Sequence, residues 1–91
     1  MSNVEFLIHE VHQDGEVTRV SGIVNKGKVL LNAEFVAVRS ESGSASPIAL
    51  RVLNIISYRR QLPELPSGMS GELHVSGDGV GLLEKRGMLT D

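Results

Sequence analysis

Sixteen residues from Val20 to Phe35, "VSGIVNKGKVLLNAEF", set the tightest limit on the fold. Gly22, Gly27 and Asn32 follow one another at intervals of five residues, with apolar residues filling the gaps. A helix cannot be sustained through a break at every fifth position, whereas short strands joined by tight turns can. The same rhythm of valine, isoleucine and leucine between turn residues runs through the chain and predicts an all-β domain.

Taken in order, the strands are expected at Val4–His12, Glu16–Val24, Glu34–Arg39, Ile48–Tyr58 and Glu72–Ser76, with a closing strand at Met88–Thr90. Asp14-Gly15 predicts a type I′ hairpin turn with φ > 0 at both residues. In the second strand Val20 and Val24 share a face with Gly22 between them, and Arg19, Ser21 and Ile23 take the other. Gly27 and Asn32 should sit in tight turns, Asn32 with positive φ, because asparagine is the residue that best replaces glycine there. "SESGSASP" predicts a flexible surface loop over about residues 40–47. Between Ile48 and Tyr58 apolar residues occupy both phases, with Leu50, Val52 and Ile56 in one. This implies cover on both faces near the strand end, or a bulge that shifts the phase. "LPELPSG" should not continue a strand. Short antiparallel strands need protected edges, and closure is the economical solution at this length. The expected architecture is therefore one domain, residues 1–91, folded as a small closed antiparallel β-barrel of about six or seven strands.

Composition narrows the function. The chain has 91 residues, 41% hydrophobic and 22% charged, with no cysteine. That suits a globular domain with neither disulfide nor zinc–thiolate support. A net charge of −2 argues against a strongly basic nucleic-acid binder, though it leaves room for a local basic patch. Without an apolar run of membrane-spanning length or a leader-like N-terminus, the expectation is a cytoplasmic protein with no membrane partner.

These turns and strands, in their order, resemble the second domain of translational GTPases of the elongation factor Tu type. That β-barrel follows the nucleotide-binding domain. "VSGIVNKGKVLLNAEFVAV" matches its "V-x-G-x-V-x-x-G" strand, with Gly22 and Gly27 on the family glycines and Asn32 in place of a third. "RVLNIISYRRQLPEL" puts Tyr58 at the family's aromatic position. "SGMSGELHVSG" keeps glycines at Gly68 and Gly77, and "RGMLT" supplies Arg86, Gly87 and Leu89 of the closing motif. The resemblance implies a translation-factor domain 2-like barrel that contacts tRNA or the ribosome. The family's phosphate-cradling G-x-x-x-x-G-K-[ST] is missing. GTP binding by this chain is therefore not expected, and neither is any cofactor.

Candidate chemistry is sparse. His9 and His12, three apart on one regular strand, should face opposite ways, which does not favour a metal site. "SGDGVG" reads as a turn, not a phosphate loop, and no serine lies in a G-x-S-x-G elbow. The chain reads as a non-enzyme. Arg51, Tyr58, Arg59 and Arg60 form the best candidate binding group, since arginine and tyrosine stack on bases and anchor protein interfaces. Glu64 is a nearby counter-charge. Met69, Val80, Leu82 and Leu83 read as a cap on one barrel end. The expected partner is RNA or a ribonucleoprotein. The alternative is a protein-interaction module such as a small inhibitor or immunity-type protein.

Overall fold

The computed structural model describes residues 3–91. Its strands are β1 (Glu5–Asp14), β2 (Val17–Lys26), β3 (Lys28–Leu30), β4 (Glu34–Arg39), β5 (Ala45–Ser57), β6 (Arg60–Gln61), β7 (Glu64–Pro66), β8 (Ser70–Asp78) and β9 (Met88–Thr90). A 3-10 turn at Val80–Leu82 is the only helical element among the described residues. Six strands close a ring: β1 pairs β2, then β8, β5, β4 and β9, and β9 returns to β1. Every pairing is antiparallel. The closed antiparallel barrel expected from the sequence is therefore present. β6 extends β5 as a short hairpin, and β3 with β7 makes a separate two-stranded ribbon.

Strand alternation builds the core. In β2 the inward set is Thr18, Val20, Gly22 and Val24, and Arg19, Ser21 and Ile23 lie on the other face. Both phenylalanines of the chain, Phe6 and Phe35, are buried with Ile8, Leu50, Leu73 and Leu89 around them. Val29 and Leu65, directly opposite one another in the β3–β7 ribbon, add their side chains to the same cluster. Leu83 is buried, and Met69 and Val80 pack against the core, which leaves Leu82 half exposed. These four residues do not cap a single barrel end, because Met69 precedes β8 and Val80, Leu82 and Leu83 follow it, at the opposite end of that strand.

The opening motif has two physical explanations. Gly27 (φ 71°) and Asn32 (φ 66°) are left-handed turn residues. At Asn32 the turn is tied to the barrel by its own N–H, which donates to the Val52 carbonyl at 2.9 Å. Gly22 serves a different purpose. A Cβ there would overlap the Leu7 carbonyl oxygen and come within 2.9 Å of the Phe6 ring. Close approach of β1 to β2 depends on its absence.

Several local expectations are corrected. The first hairpin turns on Gly15-Glu16, with Asp14 paired to Val17. Only Gly15 has positive φ (70°), the φ pattern of a type II′ turn and not of type I′. Residues 45–47 belong to β5, so the loop is confined to residues 40–44. That loop is closed by Ser40 N–H to Ser44 O at 2.8 Å. β5 does carry a bulge, between Val52 and Asn54. Its effect is to turn Ile55 inward in place of the expected Ile56. Glu64–Pro66 forms a strand despite its proline, because Pro66 ends the strand, while Pro63 lies just before it and its carbonyl accepts from Leu31 N–H at 3.2 Å. A second bulge, between Ile8 and Glu10, resets β1. In consequence His9 and His12 are both exposed instead of facing opposite ways.

Two stability outcomes follow. Asn32→Gly should be tolerated, whereas Asn32→Val should cost about 1–2 kcal/mol in denaturant unfolding, the penalty of a branched side chain at positive φ. Gly22→Ala should cost on the order of 3 kcal/mol, because the added methyl meets backbone that cannot yield.

Candidate functional site

β5 and β6 are joined by only two residues, Tyr58 and Arg59, since Ser57 pairs with Arg60 and Ile56 with Gln61. Both loop residues have positive φ, 52° and 65°. That is the type I′ φ pattern, normally filled by Asn-Gly. A tyrosine and an arginine in these positions are strained, and strain of this kind concentrates at functional sites. Tyr58 is 83% exposed, so packing does not explain its presence. The base of the hairpin is fixed instead. Buried Ser57 donates its hydroxyl to the Ser70 carbonyl of β8 at 2.7 Å, and Gln61 Nε2 donates to Asn54 Oδ1 at 3.2 Å.

Beside this turn lies a shallow groove of about 410 Å³, lined by Tyr58, Arg59, Ile56, Ser70, Glu72 and His9. The backbones of Gly22 and Gly71 also line it, and these two glycines face one another across β2 and β8. The β1 bulge supplies His9, which has no partner in β2. The groove therefore combines an exposed aromatic ring, a guanidinium, hydroxyls and one carboxylate over a glycine floor.

The structure gathers part of the sequence-derived set. Tyr58 and Arg59 line the groove and Arg60 follows on β6. Among the described residues, neither Arg59 nor Arg60 has a carboxylate within 4.0 Å. Glu64, the expected counter-charge, is held instead by Lys28 at 3.2 Å. Arg51 does not join them. It lies seven residues back along β5, roughly 20 Å at strand rise, and is paired with Glu34 at 2.9 Å. His9, Ser70 and Glu72 were not singled out as groove residues from the sequence. Gly22 opposite Gly71 was the available signal, but it requires knowing that β2 pairs with β8. No group of three or more His, Cys, Asp or Glu side chains is placed to hold a metal among the described residues.

An apolar surface lies elsewhere, where Leu30, Leu31 and Leu53 are each about two-fifths exposed. Hydrogen bonds from Leu31 N–H to Pro63 O and from Asn32 N–H to Val52 O bring these segments together. No described helix is long and apolar enough to cross a membrane.

No family model matches the sequence, and no curated protein matches it. Solved structures do. The fold is that of a translation-factor β-barrel, of the type found as the second domain of translational GTPases. The similar structures include translation elongation factor SelB from Methanococcus maripaludis, in its apo form and in complex with the GTP analogue GppNHp. Each superposes with a TM-score of 0.75 at 19% identity, covering 100% of this chain and 20% of SelB. The chain thus spans one fifth of the factor it resembles.

The strained turn gives a direct test. Tyr58→Asn combined with Arg59→Gly should stabilise the barrel by about 1–2 kcal/mol in thermal or denaturant unfolding, by removing two positive-φ penalties. A turn retained for packing would show a loss instead.

Proposed function

We propose that this chain is a cytoplasmic, non-catalytic binding module of translation-factor type that docks on RNA or a ribonucleoprotein through the Tyr58–Arg59 groove. One observation carries the reading: an exposed tyrosine and two arginines without acidic partners project from a strained but well-anchored turn. An aromatic ring offers a stacking surface to any base, worth about 1–3 kcal/mol per base. Arg59 and Arg60 supply the phosphate attraction that the chain's overall charge lacks. Arg51, already paired with Glu34, is left out of the contact. The reading assigns no GTP chemistry to this chain, whose sequence has no phosphate-cradling loop.

A protein partner is the second reading, favoured by the exposed Leu30, Leu31 and Leu53 and by the net charge of −2. Salt dependence separates the two. Binding of single-stranded RNA and of tRNA should weaken steeply as salt rises. The variant Arg59→Ala/Arg60→Ala should keep its unfolding midpoint and lower the slope of log K against log salt by about 1.4, the contribution of two phosphate contacts on a single strand. Tyr58→Ala should weaken binding by about 1–3 kcal/mol with little change in that slope. Absence of RNA binding at low salt would sink the nucleic-acid reading in favour of the protein one.

A further inference from the structure

The Tyr58–Arg59 groove does not end at β1. His9, the residue left unpaired by the β1 bulge, lines that groove and two further depressions. One of them, of about 570 Å³, is bordered by Leu7, Met88, Arg39 and Arg86. The other lies between Glu10, Lys85 and Arg86. Register makes them parts of one surface. Arg39 stands opposite Met88, Met88 opposite Leu7, Leu7 opposite Ile23, and Ile23 opposite Ser70. Residues directly opposite in antiparallel strands share a face. This face is the outer one, since the chain neighbours Val38, Leu89, Phe6 and Val24 are buried. The Ser70 carbonyl accepts the Ser57 hydroxyl at the base of the Tyr58 turn. The row therefore runs from β4 to the hairpin, crossing four strand spacings, or about 19 Å along the sheet.

Its two ends share a peculiarity. Among the described residues, the non-glycine residues with positive φ are Asn32, Tyr58, Arg59 and Arg86. Asparagine suits that conformation. The other three stand at the ends of this row, and strain of their kind concentrates at functional sites. Arg86 (φ 68°) is held there by its N–H, which donates to the Ile8 carbonyl at 2.8 Å, while its side chain is 73% exposed. Lys85 beside it has no carboxylate within 4.0 Å among the described residues. Arg86 holds Glu41 at 3.0 Å, and Arg39 lies 4.0 Å from Glu5. The Arg86–Glu41 pair is exposed on both sides, and such pairs are weak enough for a phosphate to displace the carboxylate. At the hairpin end, Glu72 is already offset by Arg19 at 3.6 Å.

Whatever occupies this face meets side chains only. Each of β9, β1, β2 and β8 is paired on both sides, so no edge is free to accept a peptide as an added strand. Cations at both ends, an aromatic ring at one and the half-buried Met88, Leu7 and Ile23 between them suit a strand that lays bases on the sheet and phosphates along its margins. We propose that Lys85 and Arg86 form a second phosphate subsite, reached by one extended RNA strand that crosses the sheet from the Tyr58–Arg59 turn past His9. The proposal rests on the RNA-docking reading and extends it from one contact point to a footprint of several nucleotides.

The test titrates the full chain with a uridine dinucleotide and with an oligouridine of about eight nucleotides, within the range of known single-strand site sizes, over a salt series at one pH. The longer strand should bind more tightly and lose affinity more steeply with salt. Lys85→Gln combined with Arg86→Asn, where asparagine keeps the positive φ, should lower the longer strand's slope of log K against log salt by about 1.4, two phosphate contacts. The dinucleotide's slope should not change. Glu41→Gln frees Arg86 and should tighten the longer strand alone, roughly two- to fivefold. Arg59→Ala/Arg60→Ala should weaken both ligands. In amide NMR both ligands should shift the signals of residues 57–61, and only the longer strand those of residues 85–87. A longer-strand slope unchanged in the Lys85/Arg86 variant, or residues 85–87 unmoved by the longer strand, overturns the second subsite while dinucleotide binding keeps the docking reading. Failure of both lengths to bind at low salt removes the docking reading and the subsite with it. An oligoglutamate of similar length that displaces the longer strand at equal concentration assigns the surface to an acidic protein segment and overturns the RNA footprint.

Discussion

The barrel is held closed by three residues. Met88, Leu89 and Thr90 of β9 pair with Leu7, Phe6 and Glu5 of β1 on one side and with Arg39, Val38 and Ala37 of β4 on the other. Without them β1 and β4 would both be open sheet edges, exposing backbone donors and acceptors that invite pairing with other chains. Leu89, fully buried, ties the same three residues to the core. The rest of the architecture follows from that closure, because only in a closed ring do β2, β8 and β5 curve enough to bring the β1 bulge and the β5–β6 hairpin to the two sides of one groove.

Closure also explains the unequal glycines. Where strands turn back, positive φ is needed and Asn32 supplies it without glycine, whereas Gly27 must also lack a Cβ, which would overlap the Asn3 carbonyl oxygen. Where β1 crosses closely over β2, the requirement is the absence of an atom, and only Gly22 meets it. The two demands look alike in the sequence, as a small residue every five positions, yet they respond differently to substitution.

Much of the fold was legible because it depends on local chemistry. Alternation in β2, the turn at Asn32, the extent of β4 and the closing strand at Met88–Thr90 all follow from propensity and period. The misread features depend on pairing. The shifts at His9 and at Leu53-Asn54 arise where a strand must absorb an extra residue to stay in register with its neighbour, which single-strand periodicity does not encode. For the site, Tyr58 and Arg59 were visible as an aromatic–basic cluster. Arg51 lies apart from them because closeness in sequence along an extended strand means distance in space. Glu64 answers to Lys28 and not to the arginines because the β3–β7 ribbon, a pairing that local sequence does not encode, brings the two together. Groove residues on β1 and β8 had no sequence signal of their own.

The candidate site sits at the tip of a short hairpin that extends beyond the ring. β6 is two residues long and pairs only with β5, whereas the barrel strands each have neighbours on both sides. Segments with so few backbone hydrogen bonds open locally at a free energy far below that of global unfolding. The hairpin can therefore detach while the barrel persists, and a ligand held by Tyr58 and Arg59 would suppress that opening. Amide exchange around Gln61 and Leu62 is thus thermodynamically tied to occupancy of the groove: the binding surface doubles as the gauge of its own use.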